Sequence, residues 1–167
     1  MSDTEDYVID RVFDAPRAMV WKAWTDPVLL ARWYGPNIET IIHEFDLRPG
    51  GVWLNEMKMG ERSSRSRADF TEILPEERLA WDQSETDAHW QPTVSQMMPD
   101  WPRVISTMVT FEADGDKTNL RLVWTPKEAS DAELACFRNM VANMGKGWGA
   151  GFGIIDEILA ELQAADT

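Results

Sequence analysis

This chain is poor in cysteine, in histidine and in positive charge. Cys136 is its one cysteine, so no internal disulfide can form and a reducing compartment is the natural setting. Lys and Arg number 16 against 29 Asp and Glu, a net charge of −13. That balance leaves no basic footprint for nucleic acid and repels anionic lipid surfaces. No stretch approaches the ~18 apolar residues of a membrane span. The acidic start, Met1-Ser-Asp-Thr-Glu-Asp, has no apolar run behind it, so no secretory leader and a cytoplasmic location are expected. No repeat, linker or low-complexity tract appears, and the chain reads as one domain over 1-167.

Tryptophan is what the chain has in excess. There are nine in 167 residues, and such large amphipathic rings mark cores, cavity walls or interfaces. Tyr7 to Phe13 reads as a strand. Asp14 offers an N-cap with Pro16 in the first turn, and Met19, Val20, Ala23 and Trp24 recur at helical spacing. Asp26-Pro27 opens a second short helix through Trp33, closed by Gly35-Pro36. From Asn37 to Pro126 the period is two. Ile41, His43, Phe45 and Leu47 share one face, and Trp53, Asn55, Met57 and Met59 share another. Pro49-Gly50-Gly51 and Asp114-Gly115-Asp116 mark turns. Strands are expected at 67–74 and 78–84, at Ile105, Thr107, Val109 and Phe111, and at Leu120, Leu122 and Trp124. Ser130 or Asp131 caps a helical stripe from Leu134 through Phe137, Val141, Trp148 and Phe152 to Leu162. Glycines at 145, 147, 149, 151 and 153 cut across it, each costing about 0.5–1 kcal/mol against alanine within a helix. Either the helix breaks there or small residues admit another backbone. The segment 85–103 fits no period and holds Trp90, Met97, Met98 and Trp101 among prolines, as a lid does.

Six motifs in this order carry a family resemblance. They are Arg11-Val-Phe-Asp-Ala-Pro16, Val20-Trp-Lys-Ala-Trp-Thr-Asp-Pro27, Arg32-Trp-Tyr-Gly-Pro36, Asp46-Leu-Arg-Pro-Gly-Gly51, Glu72-Ile-Leu-Pro-Glu-Glu-Arg-Leu79 and Gly147-Trp148. Together they resemble the C-terminal domain of the heat-shock-protein-90 ATPase activators, within the START-like superfamily. The resemblance implies an α+β helix-grip fold: a curved antiparallel sheet around a long C-terminal helix, with an apolar cavity between. The eukaryotic activator carries an additional N-terminal domain, which nothing in these residues is expected to supply. The glycine run and the 85–103 segment are both richer than the family pattern.

Period two aims His43 inward, where an imidazole could anchor a ligand or move a proton; a satisfied core histidine is the plainer reading. Asn55 shares an inward face with Trp53 and Met57, and a buried amide needs partners. Glu72 shares parity with Ala68 and Phe70, although its nearness to the Pro75 turn favours water. Glu85, Asp87 and His89 alternate like metal ligands, a pattern an acidic chain produces by chance. Cys136 reads as inert helix-face thiol, Arg62, Arg65 and Arg67 as a solvated hairpin loop, and Gly145-Lys146-Gly147 lacks what a P-loop needs. No cofactor and no metal are expected.

The sequence therefore leads to a small hydrophobic or aromatic ligand in a cavity between sheet and C-terminal helix. From the sheet, Phe45, Trp53, Met57, Phe70, Trp81, Leu122 and Trp124 would line it, with His43 and Asn55 orienting the guest. From the helices, Trp33, Phe137, Val141, Trp148 and Phe152 would close it, and Trp90, Met97, Met98 and Trp101 would gate it. A cyclase or hydrolase using the same cavity is a rival, as is a protein-interaction module displaying Trp90 and Trp101 in one patch. A homodimer stays open.

Overall fold

A computed structural model describes residues 6–34, 38–94, 98–142 and 145–165. Strand β1 (Tyr7–Phe13) leads into helices α1 (Arg17–Thr25) and α2 (Pro27–Trp33). Six strands follow: β2 (Glu39–Phe45), β3 (Val52–Met59), β4 (Arg62–Leu74), β5 (Arg78–Thr86), β6 (Ile105–Asp114) and β7 (Lys117–Pro126). Helices α3 (Asp131–Val141) and α4 (Gly145–Ala165) complete the chain. The strands form one antiparallel sheet in the order β1-β7-β6-β5-β4-β3-β2, with the helices on its inner face. This is the helix-grip fold.

Local chemistry accounts for most boundaries. Asp26 caps α2 by accepting from the Val28 amide at 3.0 Å, with Pro27 in the first turn. Ser130 and Glu133 close a reciprocal capping box on α3. Asp14 does not cap α1: Pro16 holds that position and no side chain caps the helix. The arginines 62–67 belong to β4, and the tight turn falls at Gly60, whose φ of 66° suits glycine. At Gly51 a Cβ would collide with the Asp46 carbonyl.

Of the two readings of the C-terminal glycines, close approach is the one that holds: α4 runs unbroken through positions 145, 147, 149, 151 and 153, and α3 ends before them at Val141. A Cβ on Gly151 would lie 3.0 Å from the Trp33 carbonyl oxygen, so glycine lets α4 press against the end of α2. Arg32 and Glu161 clamp the same helices at 2.7 Å, and Arg11 ties β1 to Asp156 of α4. Helix α3 is held far less: Phe137 is its one fully buried side chain among the described residues.

Two β-bulges reset the strand parity. One falls between Ile42 and Glu44 and the other between Phe70 and Glu72. An extra residue in one strand moves everything beyond it to the opposite face. Ile42 and Phe45 thus both pack on the core, while His43 is the bulged residue and turns out to the exposed face. Glu72 likewise pairs with Ala80 and leaves the face of Phe70 and Trp81.

Candidate functional site

The inner face has two ends with different filling. Beneath α1 and α2, Trp24 packs edge-on to Trp33 with ring centroids 4.5 Å apart, and to Phe111 at 6.4 Å. Trp81 and Phe152 close around the same ring at 6.5 Å each. The Trp33 indole donates to the Ala23 carbonyl at 2.8 Å. Leu122, Phe70 and Trp53 extend this mass, with Phe45 against both Trp53 and Phe70. These side chains pack into one buried cluster.

At the other end the inner positions change type. Ser64 and Ser66 on β4, and Gln83 and Glu85 on β5, continue the faces that Ala68 and Trp81 began. These side chains leave a cavity of about 140 Å³, partly open to solvent. Its apolar wall is Tyr34, Met57, Trp101, Pro102, Ile105 and Trp124, and its polar wall is those β4 and β5 residues with Ser84. The volume corresponds to about four or five waters at ~30 Å³ each, more than a packing defect and less than a drug-sized pocket. Among the aromatic rings, Trp101, Trp124, Trp148 and Tyr34 form a chain of edge contacts at 6.4, 5.5 and 6.4 Å.

Polar groups around this end are poorly satisfied. Asn55 is 2% exposed, and neither its Nδ2 nor its Oδ1 has a hydrogen-bond partner among the described residues. It lies opposite Ser66 in register and one inward step from Met57, both on the cavity wall. Trp124 Nε1 and Thr107 Oγ1 are also buried without partners, as are Trp24 Nε1 and Trp53 Nε1 in the packed end. Each such group costs about 1–3 kcal/mol. Burial pushes the Tyr34 phenol up to about 12, against a smaller opposing effect of its hydrogen bond to Gln83. It stays protonated and able to donate at neutral pH.

The segment 85–103 divides between the two faces of the sheet. Trp101 covers the cavity, stacked on Phe137 of α3 at 5.6 Å. Trp90 lies instead on the outer face, 5.1 Å from the His43 ring and 4.9 Å from the Arg65 guanidinium. There His43 Nε2 meets Glu56 Oε1 at 2.8 Å, and Arg65 also reaches the Ala88 carbonyl at 2.9 Å. The His43 hydrogen bond, then those of Ser63 and the charge of Arg65, hold the Glu56 carboxyl below the usual glutamate range. This cluster pins the 87–91 turn to the sheet. His43 is therefore not a cavity residue, and Trp90 and Trp101 do not share a patch. Met98 joins the segment through its carbonyl, which accepts from the Trp101 amide, and Met97 falls outside the described residues.

The remaining candidates are placed as follows. Of the inward apolar set, Met57 and Trp124 line the cavity, Phe45, Val141 and Trp148 are half-buried beside the core, and the others are packed within it. Glu72 pairs with Arg78 at 3.1 Å, away from His43. Asp87 caps its own turn by accepting from the His89 and Gln91 amides. Among the described residues no three His, Cys, Asp or Glu are grouped to hold a metal ion. Burial, and secondarily Asp100, raises the Cys136 thiol, which keeps it un-ionised. A larger surface cleft, about 560 Å³ between Pro99–Val104 and Lys127–Glu133, is lined mostly by exposed side chains of mixed charge.

Residues 14–160 match the family described as activator of Hsp90 ATPase homolog 1-like protein. The chain belongs to that family. Solved structures share the fold: protein Ms6760 of Mycobacterium smegmatis is 23% identical with a TM-score of 0.77, covering 94% of this chain and 91% of its own. A protein of Arthrobacter aurescens is 24% identical with a TM-score of 0.80, covering 95% and 88%. Protein NE0264 of Nitrosomonas europaea is 24% identical with a TM-score of 0.71, covering 96% and 98%. None of the curated proteins matches this sequence. Among the described residues, no helix is long and apolar enough to cross a membrane.

Periodicity did not mark Ser64, Ser66, Gln83 or Glu85 as cavity residues, although Gln83 and Glu85 share the parity of Trp81. The available signal was the switch from Phe70 and Ala68 to Ser66 and Ser64 along one face of β4.

Proposed function

We propose that this protein binds a small molecule, with an apolar body and a polar end, in the cavity between β3–β5 and Trp101. The observation that carries this reading is the cavity of about 140 Å³ with one aromatic and one polar wall. An apolar void of this size would be a cost without a use, and a polar one filled only by solvent would need no aromatic cover. The unpartnered Asn55 amide beside it adds support, since buried polar groups left unsatisfied cluster where function outweighs stability. Trp101 and the weakly held α3 form the cover, and their displacement admits the guest. The cyclase or hydrolase reading loses its acid–base pair, because His43 bonds Glu56 on the opposite face.

The test is a panel of small aromatic and aliphatic compounds followed by tryptophan fluorescence and melting temperature. A saturable response is expected from the protein, and none from Ser66→Leu, whose side chain occupies the void. A flat response from the unaltered protein across the panel contradicts the reading.

A further inference from the structure

The wall of this cavity also selects a charge. Among the described residues that line it, the one formally charged side chain is Glu85; no lysine, arginine or histidine is present. Glu85 follows Trp81 and Gln83 on the inner face of β5, opposite Ser66 in register, and is only half-buried. Its carboxylate has no hydrogen-bond or ion-pair partner among the described residues. Tyr34, Trp101 and Trp124 line the same cavity. Aromatic faces carry negative potential and attract cations, tryptophan most strongly. The Ser64 and Ser66 hydroxyls add acceptor oxygens, while Gln83 Oε1 already accepts from the Trp81 indole at 3.2 Å. An anion would meet Glu85 without a counter-charge, and a pure hydrocarbon would leave the polar wall unmatched. The net charge of −13 enriches cations around the molecule as a whole.

We propose that the polar end of the guest is a small organic cation, a primary or quaternary ammonium, held between these three rings and the Glu85 carboxylate. The inference rests on the cavity being the binding site. It adds that recognition is electrostatic, with the rings supplying the cage and Glu85 the counter-charge.

The test compares choline with its neutral isostere 3,3-dimethyl-1-butanol, by titration calorimetry on the full chain at low salt. Choline is expected to bind at least about tenfold more tightly, the ratio that ~1.4 kcal/mol of charge-dependent attraction produces. Glu85→Gln is expected to weaken choline about five- to tenfold and to leave the isostere unchanged. If the isostere binds as tightly as choline, or another neutral compound binds where choline does not, the cationic inference is overturned while the cavity reading stands. If Glu85→Gln binds choline as the unaltered protein does, the assignment to Glu85 is overturned. If neither probe nor any panel compound binds, the cavity reading falls and takes the inference with it. The comparison on the unaltered protein needs no variant, so a folding defect in Glu85→Gln leaves the test intact.

Discussion

The two ends of the inner face are built from the same sheet, yet one is solid and the other hollow. Under α1 and α2 the inward residues of β4 and β5 are Phe70 and Trp81, and three helices interlock above them through Gly151 and the Arg32–Glu161 pair. Beside Trp101 the same two strands offer Ser64, Ser66, Gln83 and Glu85, and Trp101 itself rests on Phe137, the one fully buried side chain of α3 among the described residues. Tryptophan is abundant at both ends, so aromatic content does not distinguish core from cavity. The size and polarity of the residues opposite the tryptophans do. Burial of large rings stabilises the solid end; the hollow end gives up that stabilisation and gains a place for a guest.

The sharpest way to break this contrast is to remove one large ring from each end. Trp24→Ala is expected to lower the unfolding free energy by about 3–5 kcal/mol in urea titrations, as a fully buried ring with no room to collapse. Trp101→Ala, half-buried beside an existing void, is expected to cost about 1–2 kcal/mol. Equal losses would erase the distinction. Next in size is Asn55→Leu, which removes two unpartnered polar atoms beside the cavity. It is expected to raise stability by about 1 kcal/mol, and a loss of that size would mean that Asn55 is satisfied in solution. Ser66→Leu is expected to change stability by less than about 1 kcal/mol, because the space it enters is empty, while abolishing ligand response. A loss above about 2 kcal/mol would show the end to be packed.

The smallest effect lies on the outer face. The Glu56 carboxyl is held below its unfolded value, so it contributes stability above the ordinary glutamate range and loses it as the pH falls through the folded value. His43→Ala removes the largest cause of that depression. The stability difference between about pH 7 and about pH 3 should therefore shrink in His43→Ala. An unchanged pH dependence would place the acid-labile interaction elsewhere, for example at Asp10–Arg121, whose carboxyl is lowered in the same way.

The fold was legible because its elements have local cues: the Asp26-Pro27 start, the Ser130 or Asp131 cap, the Gly115 turn and the two-residue period of β3 and β7. The site was legible only in part, for two physical reasons. Period two fails at a bulge, and both polar candidates assigned by parity on β2 and β4, His43 and Glu72, lie at one. No hydrophobic pattern announces an unfilled space, either. Trp53, Trp81, Leu122 and Phe152 have the composition of a cavity wall and lie in the buried core cluster. The serines that leave the void lie in a run, Arg62 to Arg67, whose charge reads as a loop although the backbone is strand.

The most direct measurement follows the indole N–H signals by two-dimensional NMR as a binding panel compound is added. With binding at the hollow end, the Trp124 and Trp101 signals shift together and saturate, while those of Trp24 and Trp33 stay where they are. Saturable shifts at Trp24 and Trp33, with Trp101 and Trp124 unmoved, would contradict the account.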